Sequence, residues 1–138
     1  MIYLTDEDLN LESFERFINE STANDDTVKN KAETAIIGIV KTFLNNYDVV
    51  DIFNPSEPIR DEYLASIMAT MVVHKLLGRN AARKLNQDGK DDYNNCIKQL
   101  TAIQTGKVIL DLPPKLDDAG NSTEPIMWGN NTNQDFYI

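Results

Sequence analysis

Cysteine, histidine and tryptophan each occur only once in this chain of 138 residues, as Cys96, His74 and Trp128. A single cysteine excludes an internal disulfide framework and points to a reducing compartment. One Cys and one His cannot supply the four N or S ligands of a structural zinc site. His74 has no visible catalytic partner. It lies in the most apolar stretch of the sequence, where it reads as a packed or interface residue. Cys96 falls on an apolar helix face, where a free thiol behaves as a small hydrophobe. Long apolar runs are also missing, and no stretch reaches the ~18 residues that a membrane span needs. The opening Met1-Ile2-Tyr3-Leu4-Thr5-Asp6-Glu7-Asp8 is acidic where a secretory signal would be basic, so synthesis in the cytoplasm is expected. Glycine is scarce: Gly78 is followed by Arg79, Gly106 stands alone, and no phosphate-cradling loop is present. Carboxylates are plentiful but unpatterned. Asp88-Gly89-Lys90-Asp91-Asp92 lacks the alternating ligands and the closing Glu of a calcium loop. The sequence therefore offers no catalytic residue, no cofactor-binding residue and no metal ligand set. A non-enzymatic structural or interaction protein without cofactors is expected.

Positive charge is in deficit, with 13 Lys and Arg against 22 Asp and Glu and a net charge of −9. General binding to DNA phosphates needs the opposite balance. The charge is also uneven. Residues 1–26 hold Asp6, Glu7, Asp8, Glu12, Glu15, Glu20, Asp25 and Asp26 against Arg16 alone. Residues 75–90 hold Lys75, Arg79, Arg83, Lys84 and Lys90 against Asp88 alone. An acidic side and a basic side suit head-to-tail packing of copies.

Hydrophobic spacing predicts a mainly α fold, a small bundle of four to five helices with a short strand and an extended C-terminal arm. Thr5-Asp6-Glu7-Asp8 reads as an N-cap with a carboxylate three residues on. Leu9, Leu11, Phe14, Phe17 and Ile18 follow, in one or two short helices over about 5–20. A second helix starts near Asp26 or Thr27 and runs to about Asn46. Ala32, Ala35, Ile36, Ile39, Val40, Phe43, Leu44 and Tyr47 form its apolar face, with Lys29, Lys31, Glu33 and Lys41 opposite. Residues 48–58 read as an extended loop. Pro58 suits the first turn of a third helix, and Tyr63 to Leu77 is apolar on nearly all sides, the mark of a central helix. Gly78 ends or bends it. A fourth helix covers about 80–105, with Leu85, Tyr93, Cys96, Ile97, Leu100 and Ile103 as its apolar face and a weak point at Gln87-Asp88-Gly89. Gly106 suits a left-handed helix end, and Lys107-Val108-Ile109-Leu110 has strand character.

Gly106 divides a foldable part, 1–106, from a segment, 107–138, whose composition suits an extended arm. The arm carries adjacent prolines, a polar Asn/Gly/Thr run and apolar anchors at Trp128, Phe136, Tyr137 and Ile138. Those four, with Val108, Ile109 and Leu110 as a pairing strand, are candidate interface residues. The 48–58 loop adds Val49, Ile52 and Phe53, and the basic side adds Arg79, Arg83 and Lys84. The competing reading is a small acidic regulator or DNA mimic that binds a host protein.

Several stretches carry a family resemblance. They are Tyr3-Leu4-Thr5-Asp6-Glu7-Asp8-Leu9, Leu44-Asn45-Asn46-Tyr47-Asp48-Val49, His74-Lys75-Leu76-Leu77-Gly78-Arg79, and Asp92-Tyr93 followed by Cys96-Ile97, Leu100, Ile103 and Thr105-Gly106-Lys107-Val108-Ile109-Leu110. In this order they resemble the head–tail connector (adaptor, or head-completion) proteins of tailed bacteriophages, and within them the Mu-like prophage branch. The resemblance covers about residues 3–110 and stops short of the arm. It implies a helical bundle that forms a homo-oligomeric ring of twelve copies beneath the portal protein. Such a ring lies at the head–tail junction of the virion, receives the next neck or tail component, and lets the genome pass through its lumen without sequence-specific contact. No membrane partner is implied. The C-terminal arm would reach a neighbouring subunit or the portal.

Overall fold

Six helices build the part of the chain that the structure, a computed structural model, describes: residues 1–79 and 87–116. The chain is mainly helical, as its periodicity predicts. The first apolar segment forms two helices, as the upper expectation of five allows, and the sixth is a short helix in the 48–58 loop.

The start of α1 (Asp6–Glu12) is set locally. Thr5 caps it, the Asp8 amide donates to the Thr5 hydroxyl, and the Asp8 carboxylate accepts from the Thr5 amide at 2.8 Å. This is a capping box, with Asp6, Glu7 and Asp8 placed favourably at the positive end of the helix dipole. Ser13 turns extended and ends α1, and α2 (Glu15–Thr22) begins after Phe14. α2 closes through two residues with left-handed backbone, Ala23 (φ 54°) and Asn24 (φ 58°). Asn tolerates that conformation, and for Ala it is strained. Hydrogen bonds from their amides to Glu20 and Asn19 carbonyls hold the turn.

Asp25 caps α3 (Asp26–Phe43), within a residue of the expected start. Ala32, Ile36, Ile37 and Val40 face inward from it. α3 stops three residues before Asn46, and Tyr47 is then buried by the tertiary fold. Residues 48–58 are not simply extended. Asp48 caps a four-residue helix, α4 (Val49–Ile52), by accepting from the Asp51 amide, and Ile52 is turned fully inward. Pro58 does not open the next helix. The Ile59 amide is tied to the Ile52 carbonyl, and Asp61 supplies the cap for α5 (Glu62–Leu77) by accepting from the Leu64 amide at 2.9 Å.

α5 is the central helix. It packs against α1, α2, α3 and α6 (Gln87–Gln104), and buries Leu64, Ile67, Met68, Met71, Val72 and Leu76 among other residues. Gly78 caps it in a right-handed conformation, so this glycine is not required by backbone geometry. The backbone of residues 87–89 is helical, so the expected weak point there does not break α6. Leu85 and the start expected near Asn80 lie outside the described residues. Cys96, Leu100 and Ile103 face the core.

Gly106 has φ 84°, the left-handed value that favours glycine at a helix end. Beyond it, residues 107–110 form no strand. The Val108 amide returns to the Ala102 carbonyl, and the Leu110 amide donates to the Tyr47 hydroxyl at 2.9 Å. The chain then crosses the α3–α4 connection. Tyr47 and Pro114 form an isolated antiparallel bridge, the Asp48 amide donates to the Pro113 carbonyl, and the Lys115 amide donates to the Asn46 carbonyl. Leu110 and Leu112 are buried, so the core continues past Gly106. Among the described residues, no helix is long and apolar enough to cross a membrane.

Candidate functional site

The Cys96 thiol faces the bundle's interior, whereas the His74 ring is half-buried at its surface. Cys96 Sγ points to the Ile67 carbonyl at 3.6 Å, and burial pushes its thiol pKa up to about 11. A thiol so far above neutrality is a poor nucleophile. His74, on the last turn of α5, stacks on Tyr93 of α6 with ring centroids 4.6 Å apart, and burial pushes its imidazole pKa down. Among the described residues, no group of three or more His, Cys, Asp or Glu side chains could hold a metal ion.

One buried charge was not legible in the sequence. Glu33 falls among the polar residues of α3, yet it is 1% exposed. Its two carboxylate oxygens accept from the amides of Ile2 (2.7 Å), Tyr3 (3.0 Å) and Leu4 (2.7 Å). The three donors offset the cost of removing the carboxylate from water. The result is a clamp that holds the segment before α1 against α3. Spacing alone puts Glu33 at i, i+3, i+4 and i+7 with Ile36, Ile37 and Val40, on the core face, but the donors that let a charge sit there come only from that distant segment.

Two surface features stand out. The first is a cavity of about 680 Å³ between α3, α5 and α6. The half-buried Val28 and Ile39 line its apolar part over the buried Ala32 and Ile36, the His74–Tyr93 stack adds an aromatic wall, and Lys31, Lys75 and Arg79 supply positive charge. Among its described lining residues there is no carboxylate. Asp25 lies close enough to feel Lys31 and Arg79. Its carboxyl pKa is lowered mainly by hydrogen bonds from Thr27, with a smaller contribution from those two cations.

The second feature is the elbow between α1 and α2. Leu11 is 84% exposed and Phe14 is 72% exposed. Phe14 meets the half-buried Phe17 edge to face, with centroids 5.5 Å apart, and the Arg16 guanidinium stands 4.9 Å over the Phe17 ring. Helical spacing reads Leu9, Leu11, Phe14, Phe17 and Ile18 as one continuous apolar set. The break at Ser13 divides them, so that Leu9 and Ile18 are buried while Leu11 and Phe14 face water.

The residues proposed from sequence as contacts are scattered over the bundle. Val49 and Val108 are half-buried, and Ile109 is exposed. Ile52, Phe53 and Leu110 are buried in the core, which removes them from the accessible surface of this chain. Their neighbours Val50 and Leu116 are exposed instead, on the segments that follow the two sides of the Tyr47–Pro114 bridge. Arg79 is exposed, and its guanidinium donates to the Ser21 carbonyl at 2.7 Å near the end of α2. Arg83, Lys84, Trp128, Phe136, Tyr137 and Ile138 lie outside the described residues. No protein-family model, no curated protein and no solved structure matches this chain.

Proposed function

We propose that this chain is a structural subunit of the head–tail junction of a tailed bacteriophage. It would be a connector, or adaptor, that assembles as a ring beneath the portal, extends the DNA channel and joins the capsid to the next neck or tail component. The reading rests on the resemblance over about residues 3–110. It is carried by one observation of the surface: an apolar, acidic patch and a basic groove lie on different elements. Leu11 and Phe14 stand among the carboxylates of α1 and α2, whereas Lys31, Lys75 and Arg79 gather in the groove between α3, α5 and α6. Two features of this kind on different elements suit a subunit that meets its copies head to tail. A net charge of −9 suits a channel past which DNA slides without adhering. The exposed Val50, Ile109 and Leu116 are the proposed contact with the portal or the next component. The segment after Leu116 would be the arm that lies across a neighbour.

The test uses purified particles and portal-containing heads. The full chain should be present in the particles and bind the heads. Deletion of residues 117–138 should weaken that binding about tenfold or more, because the deletion removes Trp128 and the aromatic terminus. Unchanged binding would take the arm out of the mechanism. A chain that never enters particles overturns the connector reading.

A further inference from the structure

We infer that the α1–α2 elbow of one copy seats in the α3–α5–α6 groove of the next. This rests on the ring assembly proposed above and names the contact that would build it. Phe14 is the N-cap of α2, and no side-chain hydrogen bond caps that helix. Ser, Thr, Asp or Asn at this position would satisfy an orphan amide, and Phe cannot. Phe14 is also 72% exposed beside Leu11 at 84%, so most of its apolar surface stays in water in the isolated chain. A residue that breaks the local rule and gains little burial in return is where a functional constraint is expected.

The groove offers what the elbow lacks. Its volume, about 680 Å³, lies within the ~300–1,000 Å³ of pockets that enclose an organic ligand, room enough for apolar side chains. Its accessible apolar part, the half-buried Val28 and Ile39, and its aromatic wall, His74 on Tyr93, suit a phenyl ring and a leucine. The charges also match. Glu7 and Glu15 are exposed around the elbow, and Lys31, Lys75 and Arg79 are exposed around the groove. The one cation at the elbow, Arg16, already stands over Phe17. Patch and groove sit on different elements, so the contact is heterologous. Each copy offers one of each, and repetition closes a ring if the rotation allows it.

Two variants of the full chain separate this contact from its alternatives. Phe14→Asp disables the elbow and leaves the groove. Lys31→Glu with Lys75→Glu reverses the groove charge and leaves the elbow. All three substituted side chains are exposed, and thermal unfolding checks that both variants fold. Self-association is read by sedimentation velocity and native mass spectrometry at low and high salt. The wild-type chain should associate, more weakly as salt rises. Each variant alone should associate at least about thirtyfold more weakly. An equimolar mixture should regain a one-to-one dimer and stop there, because it holds one intact elbow and one intact groove. A wild-type chain that stays monomeric throughout overturns the inference. So does a Phe14→Asp variant that associates like wild type, whether or not the groove variant fails, because the groove would then take another segment. A mixture that stays monomeric also overturns it. None of these outcomes decides whether the chain is present in particles, so the connector reading stands or falls separately.

Discussion

Two of the aromatic pairs among the described residues have similar ring separations and opposite fates. Tyr3 and Phe53 meet with ring centroids 5.1 Å apart, and Phe14 and Phe17 with centroids 5.5 Å apart. Both separations lie in the range where offset or edge-on rings attract. Around the first pair water is excluded, with Tyr3 4% and Phe53 5% exposed. The Tyr3 hydroxyl accepts from the Asp61 amide at 2.9 Å, its own amide donates to Glu33, and burial pushes its phenol pKa up. Around the second pair, Phe14 stands in water. The separations differ by little, one pair tilted at 57° and the other edge-on at 84°, so ring distance does not decide where an aromatic pair ends up. The backbone groups beside it do. The first pair lies where every donor from Ile2 to Thr5 has a named acceptor. The second lies at a helix start whose side chain satisfies none. Burial is complete at one site and still available to a partner at the other.

The largest effect is expected at the closed pair's anchor. Glu33→Ala leaves three amides without their acceptor. At about 1–3 kcal/mol for each of the three, two of them buried and the Ile2 amide part-buried, the loss is roughly 3–9 kcal/mol of unfolding free energy, measurable by urea denaturation. A change under about 1 kcal/mol would mean that water reaches the clamp, and the first pair is not closed. The next effect compares the pairs directly. Phe53→Ala should cost about 3–5 kcal/mol by opening a core cavity. Phe14→Ala should cost no more than about 0.5–1.5 kcal/mol, the worth of its edge-on contact with Phe17, because the ring is otherwise exposed. Equal costs for the two truncations would erase the distinction.

What the sequence reveals of these two sites follows from the range of the interactions. The Thr5–Asp8 capping box spans three residues, α5 is apolar all round within one helix, and Gly106 needs only its own backbone angle. All three are local, and all are readable from spacing and residue type. The burial of Glu33 depends on amides 29–31 residues away. Its spacing to Ile36, Ile37 and Val40 places it on the core face of α3, but nothing local says how a carboxylate is tolerated there. Ile52, Phe53 and Leu110 look available in a loop and a tail until the chain after Gly106 crosses the α3–α4 connection and pairs with Tyr47. The elbow is hidden for another reason. Leu11 and Phe14 carry a helical period, and only the extended Ser13 shows that the period spans two helices.

A smaller effect separates the two sites by pH. Asp8 sits on the closed side. The Arg60 guanidinium donates to both its oxygens, at 2.7 and 3.0 Å, and also reaches the Tyr3 carbonyl. Those bonds lower the Asp8 pKa below the ordinary carboxylate value of about 3.9. The folded state therefore binds this proton less readily than the unfolded state. The stabilisation is fully present above about pH 3.9 and is lost as pH falls through the lower folded value. Arg60 also pairs with Glu62 and its side chain is 35% exposed, so the contribution is about 1 kcal/mol or less. Asp8→Asn should flatten the acid side of the stability profile by that amount. An unchanged acid limb would mean that the pair is as open to solvent as the elbow.

The smallest expected change in stability is the most informative about the open pair. Phe14→Asp removes the edge-on contact with Phe17, which such pairs value at about 0.5–1.5 kcal/mol. It supplies the missing N-cap, a gain of about 0.5–2 kcal/mol, and puts a negative charge at the positive end of α2. It also adds a carboxylate near Glu12 and Glu15, which opposes part of that gain. The sum lies near zero, so the melting temperature should hold while association between copies fails. A melting temperature that falls as far as in Phe53→Ala would mean that the Phe14 ring supports the fold. The exposed pair would then be an outlying piece of the core, and its surface would no longer be spare.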